Sequence, residues 1–60
     1  MKLKVSINYE IKIKEGSEER VFTQEHDCDT EDQAKDLTVL ALCNEYPECR
    51  VKTITINERI

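Results

Sequence analysis

Four side chains of kinds that bind zinc or act as nucleophiles occur in this chain: His26, Cys28, Cys43 and Cys49. None of the cysteine pairs has the Cys-x-x-Cys spacing of a zinc site. Cys28 and Cys43 flank a predicted helix, and at about 1.5 Å per residue they lie roughly 20 Å apart, beyond the reach of one ion. We therefore predict no metal and no cofactor, and interpret the cysteines as reduced, partly buried small hydrophobic side chains.

Two alternatives stay open for the cysteines. Cys43 could be exposed, or could meet its symmetry mate in a dimer. Cys43 and Cys49 could also approach each other across the turn at Pro47 under oxidising conditions.

A Cys–His catalytic pair is the enzymatic interpretation, because His26 and Cys28 would share one face of a strand. Such a pair also needs an orienting group, an oxyanion site and a pocket. Sixty residues with one helix do not easily enclose a pocket, and no Gly-rich phosphate loop is present. We expect a protein that is not an enzyme.

Acidic residues cluster before and at the start of the predicted helix. This acidic segment comprises Glu25, Asp27, Asp29, Glu31 and Asp32. It lacks the glycine that an EF-hand calcium loop requires, and negative charge at a helix N-terminus is favourable without any metal. The segment is the predicted partner-binding site for a protein with a basic surface, and the predicted role is that of an inhibitor or antagonist that occludes this surface. In size and charge alone, the chain is similar to small acidic phage-encoded inhibitors such as anti-CRISPR proteins.

The charge is unevenly distributed, since residues 1–14 carry a net +3, residues 15–32 a net −7, and residues 33–60 none. The predicted alternative function is therefore nucleic-acid binding by a lysine-bearing sheet face, formed by Lys2, Lys4, Lys12 and Lys14. The predicted lysine-bearing face has no exposed aromatic residues on which bases could stack. The overall net charge of −4 also disfavours phosphate binding. A basic protein partner is the preferred prediction.

Strict alternation of apolar and polar residues over 3–13 predicts the strand around which the fold is built. The only glycine, Gly16, predicts a hairpin turn into a weaker second strand over about 19–26. In that strand either Val21 or Phe22 faces inward, and we favour Phe22 because it is bulkier. A third strand is predicted over 49–57. Its alternation slips, which indicates either a bulge near Lys52 and Thr53 or partial cover of both of its faces.

A helix is predicted from about Glu31 to Glu45, because Thr30 and Gln33 form a capping box and Pro47 prevents continuation. Its apolar residues fall into two sets. The set predicted to cover the sheet is Ala34, Leu37, Leu40 and Ala41, with Thr38 and Leu42 beside it. The set predicted to face away and to form a homodimer interface is Val39, Cys43 and Tyr46.

These elements predict one compact α+β domain over residues 1–60, with a two-layer β-β-α-β fold. The sheet is three-stranded and mainly antiparallel in the order 2-1-3, and the helix packs on one face. The alternative is the order 1-2-3 with a mixed sheet. A chain this short has limited intrinsic stability, which favours a homodimer. No apolar run of membrane or signal length is present, so the expected location is cytoplasmic without membrane association.

Overall fold

The computed structural model describes residues 1–59 and confirms the predicted α+β fold. The chain forms three strands and one helix in sequence order. Their bounds are β1 Lys2–Ile13, β2 Gly16–Asp27, α1 Glu31–Glu45 and β3 Arg50–Arg59. The sheet order is β2-β1-β3, and β1 is antiparallel to both of its neighbours. Among the described residues, no helix is long and apolar enough to span a membrane.

The two faces of β1 differ in chemistry as the alternation predicts. Leu3, Val5, Ile7 and Tyr9 point towards α1 and are 0–3% exposed. The opposite face, which we call the outer face, carries polar side chains that bond across the strands, such as the 2.8 Å hydrogen bond from Asn8 Nδ2 to the Thr53 hydroxyl. Apolar burial on one face and hydrogen bonding on the other fix the register of the central strand.

The hairpin register places Phe22 directly opposite Ile7, and Phe22 packs against the core. Val21 lies opposite Asn8 on the outer face and is 64% exposed. The prediction that Phe22 faces inward is therefore confirmed, with Ile7 as its cross-strand partner.

The predicted bulge in β3 is also confirmed. Asn8 pairs with Thr53 and Tyr9 pairs with Val51, so Lys52 is the extra residue. A bulge shifts the alternation by one position, which explains why odd-numbered Val51 and even-numbered Ile54 both pair with inward-facing residues of β1.

The N-terminus of α1 has the predicted cap. The Thr30 hydroxyl accepts a hydrogen bond from the Gln33 backbone N–H at 3.1 Å. The Gln33 side chain reaches back one residue further than expected, to the Asp29 N–H at 3.2 Å. Both bonds satisfy donors near a helix end that would otherwise need water.

The predicted sheet-covering face of α1 is wrong for both of its leucines. Ala34, Thr38 and Leu42 are the buried residues of the helix, whereas Leu37 is 44% and Leu40 61% exposed. Thr38 tolerates burial because its hydroxyl donates to the Ala34 carbonyl oxygen at 2.8 Å.

The assumption behind the predicted dimer interface is also wrong for two of its three residues. Val39 and Tyr46 pack against the core instead of facing away from it, and Tyr46 lies against Tyr9 with ring centroids 5.6 Å apart. Only Cys43 is exposed. The helix is rotated about its axis relative to the prediction, so its exposed apolar side chains are Leu37 and Leu40.

Candidate protein-interaction surface

The acidic segment is entirely exposed and lies at one end of the molecule, where β2 ends and α1 begins. Its first two residues are on the outer face of β2, where Glu25 pairs with Lys4 and Asp27 with Lys2. Asp27 is also 3.5 Å from the N-terminal ammonium group. The positive groups beside these two carboxylates reduce the net charge of this half of the segment.

The other half surrounds the N-terminus of α1. Asp29, Glu31 and Asp32 are exposed, and the last two occupy the first turn of the helix. Their negative charge complements the positive end of the helix dipole.

An uncharged row of side chains runs along α1 beyond these acids. Gln33, Leu37, Leu40 and Asn44 follow one another at spacings of four, three and four residues, so they share one side of the helix. We call this row the leucine strip; all four of its residues are exposed. The two leucines were predicted to lie in the core. Uncharged residues at spacings of three and four occur on buried and on exposed helix faces alike, so the sequence pattern does not distinguish the strip from a core face.

The lysine-bearing face predicted for nucleic-acid binding is interleaved with acids. Besides the two lysines that pair with the acidic segment, Lys52 Nζ contacts Glu19 at 2.6 Å and Glu10 at 3.2 Å. These carboxylates raise the pKa of Lys52, and Lys52 lowers the pKa of Glu19. Lys12 lies opposite Ser17, and Lys14 lies in the hairpin turn.

No aromatic side chain of residues 1–59 lies on this outer face. Phe22 and both tyrosines pack in or against the core. An open cleft at this level of the sheet is lined by Asn8, Glu19, Arg20, Lys52 and Thr53 together with exposed Val21 and with Tyr9, which is only 3% exposed. The outer face of the described residues offers no aromatic platform for base stacking, and Lys2, Lys4 and Lys52 lie beside carboxylates.

His26 and Cys28 have separate hydrogen-bonding surroundings. The Cys28 thiol donates to the Thr30 carbonyl oxygen at 3.4 Å, and the Cys28 backbone N–H donates to the Met1 carbonyl oxygen at 3.0 Å. His26 Nε2 is buried without a hydrogen-bond partner. Cys28 thus links the N-terminus to the start of α1 by hydrogen bonds. Among the described residues, no group of three His, Cys, Asp or Glu side chains could hold a metal ion.

Cys43 and Cys49 are brought together, unlike Cys28. Cys43 is exposed in the last turn of α1, and half-buried Cys49 precedes β3. Burial raises the pKa of the Cys49 thiol, and interaction with the Cys43 thiol raises it further.

No protein-family model, curated protein or solved structure matches this chain. A function for it must therefore be proposed from its own surface.

Proposed function

We propose that this chain is a non-enzymatic protein-binding module that docks the leucine strip and the adjoining acidic helix start onto a basic partner protein. The observation that supports this proposal most directly is the exposure of Leu37 and Leu40 on the solvent-facing side of α1. Neighbouring exposed leucines on a helix are typical of an interface, because water contact with apolar surface is unfavourable.

The two parts of this surface serve different physical purposes. Burying a fully exposed leucine side chain contributes about 1.5–3 kcal/mol. Leu37 and Leu40 are 44% and 61% exposed, so together they supply about 1.5–3 kcal/mol of affinity. The carboxylates of Asp29, Glu31 and Asp32 supply long-range attraction, which mainly increases the association rate.

Occlusion is the mechanism that this geometry favours. The molecule measures 41 × 17 × 12 Å, and the proposed surface extends along one side of its helix. A bound chain of this shape would cover a basic groove of its partner without chemical change to either protein. We therefore propose the role of an inhibitor or antagonist.

The affinity part is tested by capturing partners from the native host and measuring their dissociation constants for the wild type and for Leu37→Gln/Leu40→Gln. Loss of both leucine contacts is expected to weaken binding by roughly 10–100-fold. Val21→Gln is the matched control, because Val21 is equally apolar and exposed but lies on the outer face of the sheet. An equal loss in both variants, or in neither, would contradict the proposal.

The electrostatic part is tested by Asp29→Lys/Asp32→Lys, with Glu45→Lys/Glu48→Lys as a control of equal charge change at the other end of α1. The first variant is expected to slow association and to remove most of its salt dependence. Unchanged association rates in that variant would exclude the acidic helix start as the contact. Circular dichroism on each variant verifies that the helix is retained.

Self-association is a competing use of the same strip. Light scattering of the wild type before capture separates the two. A dimer that dissociates in Leu37→Gln/Leu40→Gln would show that the strip binds a second copy, and the proposal of a basic partner at this site would then be wrong.

A further inference from the structure

The loop between α1 and β3 brings two cysteines to the same place. The Tyr46 N–H donates to the Leu42 carbonyl oxygen at 2.8 Å, and the Cys49 N–H donates to the Tyr46 carbonyl oxygen at 3.0 Å. These consecutive backbone hydrogen bonds turn the chain back alongside the last turn of the helix, where Cys43 lies. Cys49 packs against the core, and its thiol interacts with that of Cys43.

We propose that Cys43 and Cys49 are an oxidisable thiol pair that closes to an intramolecular disulfide by exchange with a low-molecular-weight disulfide. The turn carries Cys49 back to the last turn of α1, so both cysteines lie at the same end of the helix, as closure requires. Cys28 is not part of the pair, because it lies at the opposite end of α1. There its thiol donates a hydrogen bond to the Thr30 carbonyl oxygen, and its backbone N–H donates to the Met1 carbonyl oxygen.

The exchange takes place in two steps when glutathione disulfide is the oxidant. The Cys43 thiolate attacks one sulfur of glutathione disulfide, which breaks its S–S bond and releases one glutathione thiolate. The Cys49 thiolate then attacks the Cys43 sulfur of the mixed disulfide and releases the second glutathione thiolate. Two protein thiols are oxidised, one glutathione disulfide is reduced, and the two protons are taken up by the released thiolates.

Accessibility assigns the order of attack. Cys43 is exposed, whereas Cys49 is half-buried. The raised pKa of Cys49 also leaves it with a smaller thiolate fraction at neutral pH than an ordinary cysteine has. Cys43 is therefore the attacking thiol, and Cys49 resolves the mixed disulfide.

Formation of the Cys43–Cys49 disulfide would restrict the motion of the loop that forms one wall of a surface cleft. Tyr46, Pro47 and Glu48 lie between the two cysteines in sequence and face Ile11 and Lys12 across the cleft at the far end of α1. The disulfide would hold this wall against the last turn of the helix, next to the end of the leucine strip. The inference does not depend on the proposed partner.

The test equilibrates the protein in glutathione redox buffers, quenches it with acid and maps the products by mass spectrometry. It compares the native protein with the same chain in urea, where the cysteines are separated only by a flexible segment of five residues. The expected result is a monomeric Cys43–Cys49 disulfide, with an equilibrium constant at least about tenfold larger in the native state, because the fold raises the effective concentration of the thiols.

An equal or smaller constant in the native state would overturn the proposal, and so would a stable glutathione adduct on wild-type Cys43 or a Cys43–Cys43 link between chains. Two variants test the order of attack. Cys49→Ser is expected to accumulate a mixed disulfide on Cys43, and Cys43→Ser is expected to react with glutathione disulfide at least about tenfold more slowly. Equal rates in the two variants would contradict the assigned order.

Discussion

The two halves of β1 have the same sequence pattern and different surroundings. From Leu3 to Tyr9 the inward-facing residues are buried. At the far end of the strand, Ile11 is only partly buried and Ile13 is 41% exposed. Alternation therefore determines which way a side chain points, and some other property of the chain determines whether it is buried.

That property is the length of the covering helix. The fifteen residues of α1 extend about 22 Å, whereas the twelve residues of β1 extend about 40 Å. Because only three residues separate the end of β2 from the start of α1, the helix starts over Leu3 and ends near Tyr9, where Tyr46 packs. The remaining hairpin extends beyond the helix.

The largest expected difference is between Ile7→Ala and Ile13→Ala, the same substitution in the two halves. Ile7→Ala should lower the free energy of unfolding by about 3–4 kcal/mol, because it leaves a cavity in the core. Ile13→Ala should lower it by less than about 1 kcal/mol, since the site is already in contact with water. Urea unfolding followed by circular dichroism measures both.

Ile7→Val is the fallback where Ile7→Ala does not fold, with an expected loss of about 1 kcal/mol. Similar losses for Ile7→Ala and Ile13→Ala would mean that the hairpin end is covered in solution, and the contrast between the halves would be wrong.

Tyr46→Ala tests the boundary between the halves. We expect a loss of about 2 kcal/mol in unfolding free energy, because the substitution removes the packing on Tyr9 and exposes that side of its ring. Tyr46→Phe is the control and should change stability little, since the ring is kept. If Tyr46→Ala is as stable as Tyr46→Phe, the tyrosine pair does not close the core.

Gly16→Ala tests the exposed half by its backbone alone. Gly16 has φ +139°, and an added Cβ would meet no atom within 4 Å. The expected loss of about 1 kcal/mol is therefore conformational strain and not a clash. Ser17→Ala, one residue on, should leave the urea midpoint nearly unchanged. A neutral Gly16→Ala would mean that the turn adopts another conformation in solution.

The sequence was sufficient to predict those features that depend on local chemistry. The cap at Thr30, the bulge at Lys52 and the inward direction of Phe22 each follow from a few neighbouring residues and are confirmed. The strand order follows because β1 has the most regular apolar face, and the central position of the sheet buries that face best.

The rotation of α1 was not predictable in the same way, because apolar residues occur on most sides of this helix. Its leucines suggested the wrong face. Small Ala34 and Thr38 allow the helix to approach the large side chains of the sheet. The backbone hydrogen bond between Cys28 and Met1 constrains where the helix begins. This orientation depends on contacts distant in sequence, so the exposure of Leu37 and Leu40 was not predicted.

The smallest effect expected concerns the ion pairs of Lys52, which span the outer face at the junction of the two halves. The nearby Lys52 ammonium lowers the pKa of Glu19. A lowered folded-state pKa contributes stability above the ordinary Glu pKa, and this contribution is lost as the pH falls through the lowered value. The raised pKa of Lys52 has the opposite sign, so its contribution is lost as the pH rises through that raised value.

Both partners are exposed, so the effect on stability should be small and the pKa itself is the better observable. In an NMR titration, Lys52→Met should move the Glu19 pKa up towards its ordinary value, whereas Lys12→Met, on the same face, should not. An unmoved Glu19 pKa in Lys52→Met would show that the pair does not persist in solution. The outer face would then lack the charged link from β2 to β3 that the pair of Lys52 and Glu19 forms at this junction.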